Sequence, residues 1–163
     1  GRTAAGVAGI KPVGDDYVVG LALVNDEARL LVASENGIGK RTPFGDYRSQ
    51  TRGGKGIITM KVTEKTGEVV GAVAVEEDDE LMLMTSGGQS IRIRVGEVRE
   101  AGRNTQGVKL VTLKSGEALQ DIARVVPDAD EELEADSGED GTDSDAGTGD
   151  ASPEADDSGD SQD

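Results

Sequence analysis

Along residues 1–126, apolar and β-branched residues come in short runs, alternating or continuous, separated by turn-forming pairs. The runs are 17–24, 29–34, 57–62, 69–75, 81–85, 90–95, 107–113 and 119–126. Between them stand Asn25-Asp26, Asn36-Gly37, Thr66-Gly67, Gly87-Gly88 and Ser115-Gly116. Gly and Asn reach backbone conformations closed to most residues, so such pairs reverse the chain tightly. No stretch carries a 3.6-residue apolar period with helix caps. The pattern predicts an all-β chain of many short strands, and hence a sandwich, a barrel or a propeller.

An internal repeat decides among these. Val18-Val19-Gly20-Leu21-Ala22-Leu23-Val24 matches Val69-Val70-Gly71-Ala72-Val73-Ala74-Val75, 51 residues on. Arg29-Leu30-Leu31-Val32-Ala33-Ser34 matches Glu80-Leu81-Met82-Leu83-Met84-Thr85 at the same offset, and Leu119-Gln120-Asp121-Ile122-Ala123 continues the first element. An Arg followed four residues later by Gly and then Val or Ile occurs at Arg2, Arg52 and Arg103. A unit of this length with four short strands is the size of a propeller-type blade. Roughly two and a half such units fit in the chain, fewer than the four or so that close a ring. The chain is therefore expected to be part of a longer array.

Charge changes the picture at residue 127. The 163 residues carry 17 Lys and Arg and 33 Asp and Glu. All 17 basic residues and 17 of the acids fall in 1–126, so that part is neutral, and 127–163 holds the other 16 acids with no basic residue. Leu133 is the one large apolar residue after Pro127. Such a segment cannot bury enough apolar surface to offset chain entropy of about 1–2 kcal/mol per residue, and it is expected to be a disordered acidic tail. No signal-peptide core and no run near the length of a membrane helix is present, which suggests a cytoplasmic protein without a membrane partner. There is no Cys and no His, so thiolate chemistry and the commonest general base are excluded.

Within the neutral part the basic residues keep phase with the repeat. Arg41 and Arg92, Arg48 and Arg99, and Arg52 and Arg103 are each 51 apart, with Lys40 and Lys55 beside the first set. From Lys40 to Lys61 six basic residues face one acid, Asp46. The acids concentrate in a different place, at Asp26-Glu27 and at its equivalent Glu76-Glu77-Asp78-Asp79-Glu80. In a propeller-like array, equivalent positions recur around the ring, so this phase predicts a basic stripe along one edge. A stripe of that kind suits a partner with evenly spaced negative charge, namely duplex DNA. The only aromatic residues are Tyr17, Phe44 and Tyr47, too few for the stacking platforms of single-strand binders.

Three segments carry a family resemblance. Gln50-Thr51-Arg52-Gly53-Gly54-Lys55-Gly56 is similar to the Gly-rich basic heptad of the gyrase A C-terminal domain. Asn36-Gly37-Ile38-Gly39-Lys40-Arg41-Thr42 and Gly102-Arg103-Asn104-Thr105-Gln106-Gly107-Val108 resemble two other recurrent segments of it. The heptad departs from the pattern at Thr51, where a basic residue is usual. The resemblance implies a β-pinwheel of four-stranded blades over 1–126 whose basic rim bends and wraps DNA. It also implies a holoenzyme of two A and two B subunits that supercoils DNA, with ATP and Mg held on other parts and no cofactor or catalytic residue in this chain. The DNA-binding residues it implies are Gln50, Arg52, Gly53, Gly54, Lys55 and Gly56, joined by Lys40, Arg41, Arg48, Arg92, Arg99 and Arg103. A chromosome-associated location follows. The corresponding domain of topoisomerase IV and a propeller that binds an acidic protein are the alternatives.

Other chemistries fit poorly. Gly39-Lys40 and Gly54-Lys55 lack the earlier Gly and the following Ser or Thr of a phosphate loop. The acidic segment has no alternating ligand pattern of a calcium loop, so no metal site is expected. Neither Tyr17 nor Tyr47 stands in a helical, Arg-preceded context that would suit a catalytic Tyr.

Overall fold

The computed structural model describes residues 3–126. The tail expected over 127–163 lies outside the described residues, as does Arg2. Seven strands form in chain order: β1 (Arg29–Ser34), β2 (Ile38–Pro43), β3 (Val69–Val75), β4 (Glu80–Thr85), β5 (Ser90–Arg94), β6 (Val108–Lys109) and β7 (Leu119–Val125). They make two antiparallel sheets with strand orders β3-β1-β2-β6 and β5-β4-β7.

The repeat is visible in the pairing. Hairpin β1–β2 is joined on its β1 side by β3, and hairpin β4–β5 is joined on its β4 side by β7. The register slips between Ala33 and Ser34 in one blade and between Met84 and Thr85 in the other, again 51 residues apart. A single 3₁₀ turn follows each hairpin, at Phe44–Asp46 and Val95–Glu97, and buries Phe44 and Val95 respectively. Each blade is thus finished by the first strand of the repeat that follows it.

The blades pack through those shared strands. The main core joins Leu31, Ala33 and Val75 of the first sheet to Leu81, Leu83, Leu119 and Ile122 of the second, with Val95, Val98 and Val111 around them. Full burial of a Leu or Val side chain contributes roughly 1.5–3 kcal/mol. The close approach needs Gly71, where an added Cβ would stand 2.7 Å from Ile122 Cγ1. Gly20, one repeat earlier, comes within the same range of β3, with a Cβ position 3.0 Å from the Ala72 carbonyl oxygen.

Three expectations need correction. Residues 17–24 form no strand, and Leu21 and Leu23 are 92% and 84% exposed. Their equivalents β3 and β7 are bonded to the hairpin that precedes them, and no hairpin precedes Tyr17 among the described residues. Residues 57–62 likewise form no strand. Their equivalent run, 107–113, shortens to β6, which pairs with β2 of the preceding repeat at Ile38↔Lys109 and Gly39↔Val108. The pairing of both runs depends on a neighbour, so local apolar pattern alone cannot make them strands. Conversely β2 is a strand without an apolar run.

Candidate nucleic-acid interface

Residues 50–56 make an irregular turn pinned by two backbone bonds. The Gly53 N–H donates to the Gly9 carbonyl at 2.8 Å, and the Lys11 N–H donates to the Gly54 carbonyl at 2.9 Å. Gly53 and Gly56 take φ of 74° and 82°, a region in which a Cβ is strained. Gly9, Ile10, Gln50, Thr51, Arg52, Gly54 and Gly56 line a shallow concavity there. Gln50, Arg52 and Lys55 are exposed, as is Arg48 just before them. Arg48, Arg52 and Lys55 have no hydrogen bond or ion pair with another described residue.

The equivalent turn one repeat later, 102–107, is built differently. Its outer tie is the same, the Lys61 N–H donating to the Thr105 carbonyl at 3.0 Å as Lys11 does to Gly54. Beneath it lies Lys40, which is fully buried. The Lys40 ammonium donates to the Gly102 carbonyl at 2.6 Å, the Arg103 carbonyl at 2.5 Å and Thr105 Oγ1 at 3.1 Å. All three of its protons therefore have acceptors within the turn. Burial pushes the Lys40 ammonium below the usual lysine pKa, Arg103 acts in the same direction, and Asp46 opposes them. Arg103 is half-buried, donates from one terminal nitrogen to the Ile58 carbonyl at 3.0 Å, and lies 6.0 Å over the Tyr47 ring.

Strand β2 anchors the whole return segment. Thr42 Oγ1 donates to the Ala101 carbonyl at 2.7 Å, and Arg41 Nε donates to the Val98 carbonyl at 2.6 Å. The Arg41 guanidinium also pairs with Glu77 and reaches the Gly96 carbonyl at 3.3 Å. The Arg41 bond and charge hold the Glu77 carboxyl below the usual carboxylate range. Arg92 pairs with Glu80, and Arg124 with Asp79 at 2.6 Å.

The in-phase stripe is therefore not uniform. Lys40 and Arg41 are buried and bonded inside the fold, which takes them away from the surface a phosphate could reach. Arg92 faces an acid, so the separation of acids from bases read along the chain fails where the 76–80 turn meets Arg41 and Arg92. Arg99 is exposed and so is its partner in phase, Arg48. The structure adds Lys11 and Lys61, exposed and 50 apart, each tied by its backbone to one of the two turns. Their spacing is one residue short of the offset that singled out the arginines.

Among the described residues no group of His, Cys, Asp and Glu is arranged to hold a metal, and no helix is long and apolar enough to cross a membrane.

Comparison with known proteins follows the same divisions. The model of the DNA gyrase C-terminal domain, a β-propeller, matches residues 1–25, 28–76 and 79–125, three successive copies. The DNA gyrase A protein of Klebsiella oxytoca is 48% identical over 136 residues, 83% of this chain and 16% of that protein. Its counterpart in Staphylococcus aureus strain NCTC 8325 is 43% identical over 150 residues, 91% of this chain and 17% of that protein. The chain thus spans about a sixth of the length of these relatives. A solved DNA gyrase A C-terminal domain superimposes with a TM-score of 0.69 at 33% identity, covering 74% of this chain and 41% of that one. A solved C-terminal domain of DNA topoisomerase IV gives 0.70 at 22% identity, over 81% and 42%, a likeness of fold.

Proposed function

This chain belongs to the DNA gyrase C-terminal domain family, and we propose that it binds and bends duplex DNA as part of a gyrase A protein. In this reading Arg48, Arg52, Lys55 and Arg99 contact phosphates, Lys11 and Lys61 flank the two turns, and Arg103 contributes from its half-buried position. The observation that carries it is the set of exposed cations that have no acidic partner among the described residues, at repeated places in the fold and centred on a turn whose glycines let backbone approach a phosphate. Arg can fork onto a phosphate and Lys adds a point charge. Little base readout is expected from contacts of this kind.

Bending 20–30 bp by 40–90° costs roughly 1–6 kcal/mol, which contacts on successive blades offset. The bent segment would present a crossover to the rest of the enzyme, where the A and B subunits, with ATP and Mg, carry out the supercoiling. The assembly would act on the chromosome in the cytoplasm. This chain supplies no reacting group in that scheme.

The test is duplex binding across a salt series. The logarithm of affinity should fall linearly with that of salt, by about 0.9 per phosphate contact. Arg52→Gln with Lys55→Gln should flatten the slope by about 1.8, and Lys11→Gln or Lys61→Gln by about 0.9 each. Absence of binding at low salt, or a strong preference for one base sequence, would overturn the reading.

A further inference from the structure

We propose that Lys40 is a positioning residue for DNA binding, holding the 102–107 turn of the next repeat in the conformation that presents Arg103. The inference rests on the DNA-binding reading above and goes beyond it, because Lys40 itself is out of a phosphate's reach.

The geometry is specific. Lys40 sits on β2 of one blade, while its three acceptors belong to the turn that returns from the next blade. One of them is the carbonyl of Arg103 itself. Thr105, another acceptor, also donates its hydroxyl to the Gly102 carbonyl at 2.8 Å, so the turn closes on itself around the ammonium. The pull from below acts on main chain, which sets where the Arg103 side chain starts. Outside, Arg103 commits one N–H to Ile58, and a guanidinium has five to offer. The remainder can meet an anion from a fixed base.

A buried lysine with no carboxylate partner among the described residues is costly to retain, since burial disfavours its charge. A Met or Leu at 40 would fill similar space, but would leave the Arg103 carbonyl without this donor and the Gly102 carbonyl with the Thr105 hydroxyl alone. The position one repeat later is Ile91, so the next blade does not carry this clamp.

A double-mutant cycle on the full chain tests this, with Lys40→Met, Arg103→Gln and the double variant titrated with a fluorescent duplex at several salt concentrations. Arg103→Gln should weaken binding about tenfold at low salt, the scale of one charge-assisted contact, and flatten the salt slope by about 0.9. Lys40→Met should do the same, and the double variant should bind no more weakly than either single one. Thr105→Val keeps the lysine and removes the hydroxyl's two bonds, from Lys40 and to the Gly102 carbonyl. It should weaken binding in the same direction by a smaller factor, and it carries the test if Lys40→Met does not fold. Additive losses, or normal binding by folded Lys40→Met or, in its place, by Thr105→Val, would overturn the proposal. So would normal binding by Arg103→Gln, and if Arg52→Gln with Lys55→Gln still flattens the slope, the DNA-binding reading survives. Loss of all duplex binding in the unaltered chain would remove both.

Discussion

The turns at 50–56 and 102–107 occupy the same place in successive repeats, and they are held in different ways. The first has Gly53, Gly54 and Gly56 and is tied by backbone bonds to Gly9 and Lys11. The second has Asn104 and Thr105 in place of Gly53 and Gly54, keeps the matching outer bond from Lys61, and adds the buried Lys40 beneath. Both present an arginine, Arg52 and Arg103. Repetition has fixed the phase of the charge while leaving its support free to differ. Among the described residues the glycine turn is held by backbone bonds alone, and in the proposed reading it would adjust its backbone to a phosphate where the Lys40-held turn would bring a pre-set one. An adaptable contact loses more freedom on binding, and a pre-set one loses less.

The largest expected contrast is in stability. Lys40→Met leaves the Arg103 carbonyl without its Lys40 donor, and an unsatisfied group costs about 1–3 kcal/mol, so a loss in that range is expected from urea unfolding. Arg52→Gln at the other turn should stay within about 0.5 kcal/mol, as exposed substitutions do. Equal effects from the two would erase the distinction. A smaller contrast comes from Gly53. Gly53→Ala forces a Cβ into a positive φ and should cost roughly 1–2 kcal/mol, while Gly53→Asn, the residue found at the equivalent position, should cost less because Asn tolerates that region. Equal costs for the two variants would show that conformation is not what the glycine supplies.

The smallest effect is on pH dependence. The Lys40 pKa is lowered in the folded chain, so between that value and the ordinary lysine value of 10.5 the unfolded chain holds more protons. This group's contribution to stability therefore rises with pH through that window, and the penalty of its buried charge is fully present below it. Side-chain NMR of Lys40 should show its proton leaving below the ordinary lysine range. Titration at or above that range would show that the three acceptors stabilise the charge more than burial opposes it.

Much of this was legible in the chain, for identifiable reasons. Strands β1, β3, β4, β5 and β7 announce themselves because their β-branched and apolar residues pack on both sides of a shared core. Strand β2 does not, because Lys40, Arg41 and Thr42 are buried by polar pairing with a segment some sixty residues away. Residues 17–24 mislead in the opposite sense, since their pattern matches β3 while the hairpin that would bond them is not among the described residues. Charge phase located both turns and the exposed Arg48 and Arg99. It could not reveal that Arg41 meets Glu77 or that Arg92 meets Glu80, because those pairs form across strands whose register the spacing does not show. Lys11 and Lys61 are 50 apart, one short of the arginine offset, and an exact phase of 51 passes over them.

The borrowing of β3 by the β1–β2 hairpin sets an order of events during synthesis. The hairpin's own residues are complete at Pro43, but its β1 edge stays open until Val75 has been added. At about 5–20 residues per second, that interval lasts roughly 2–6 seconds. For that time the nascent chain exposes a strand edge able to accept any extended neighbour. Each repeat is closed by the arrival of its successor, so the array matures from the N-terminal side with one unfinished blade always travelling at its growing end.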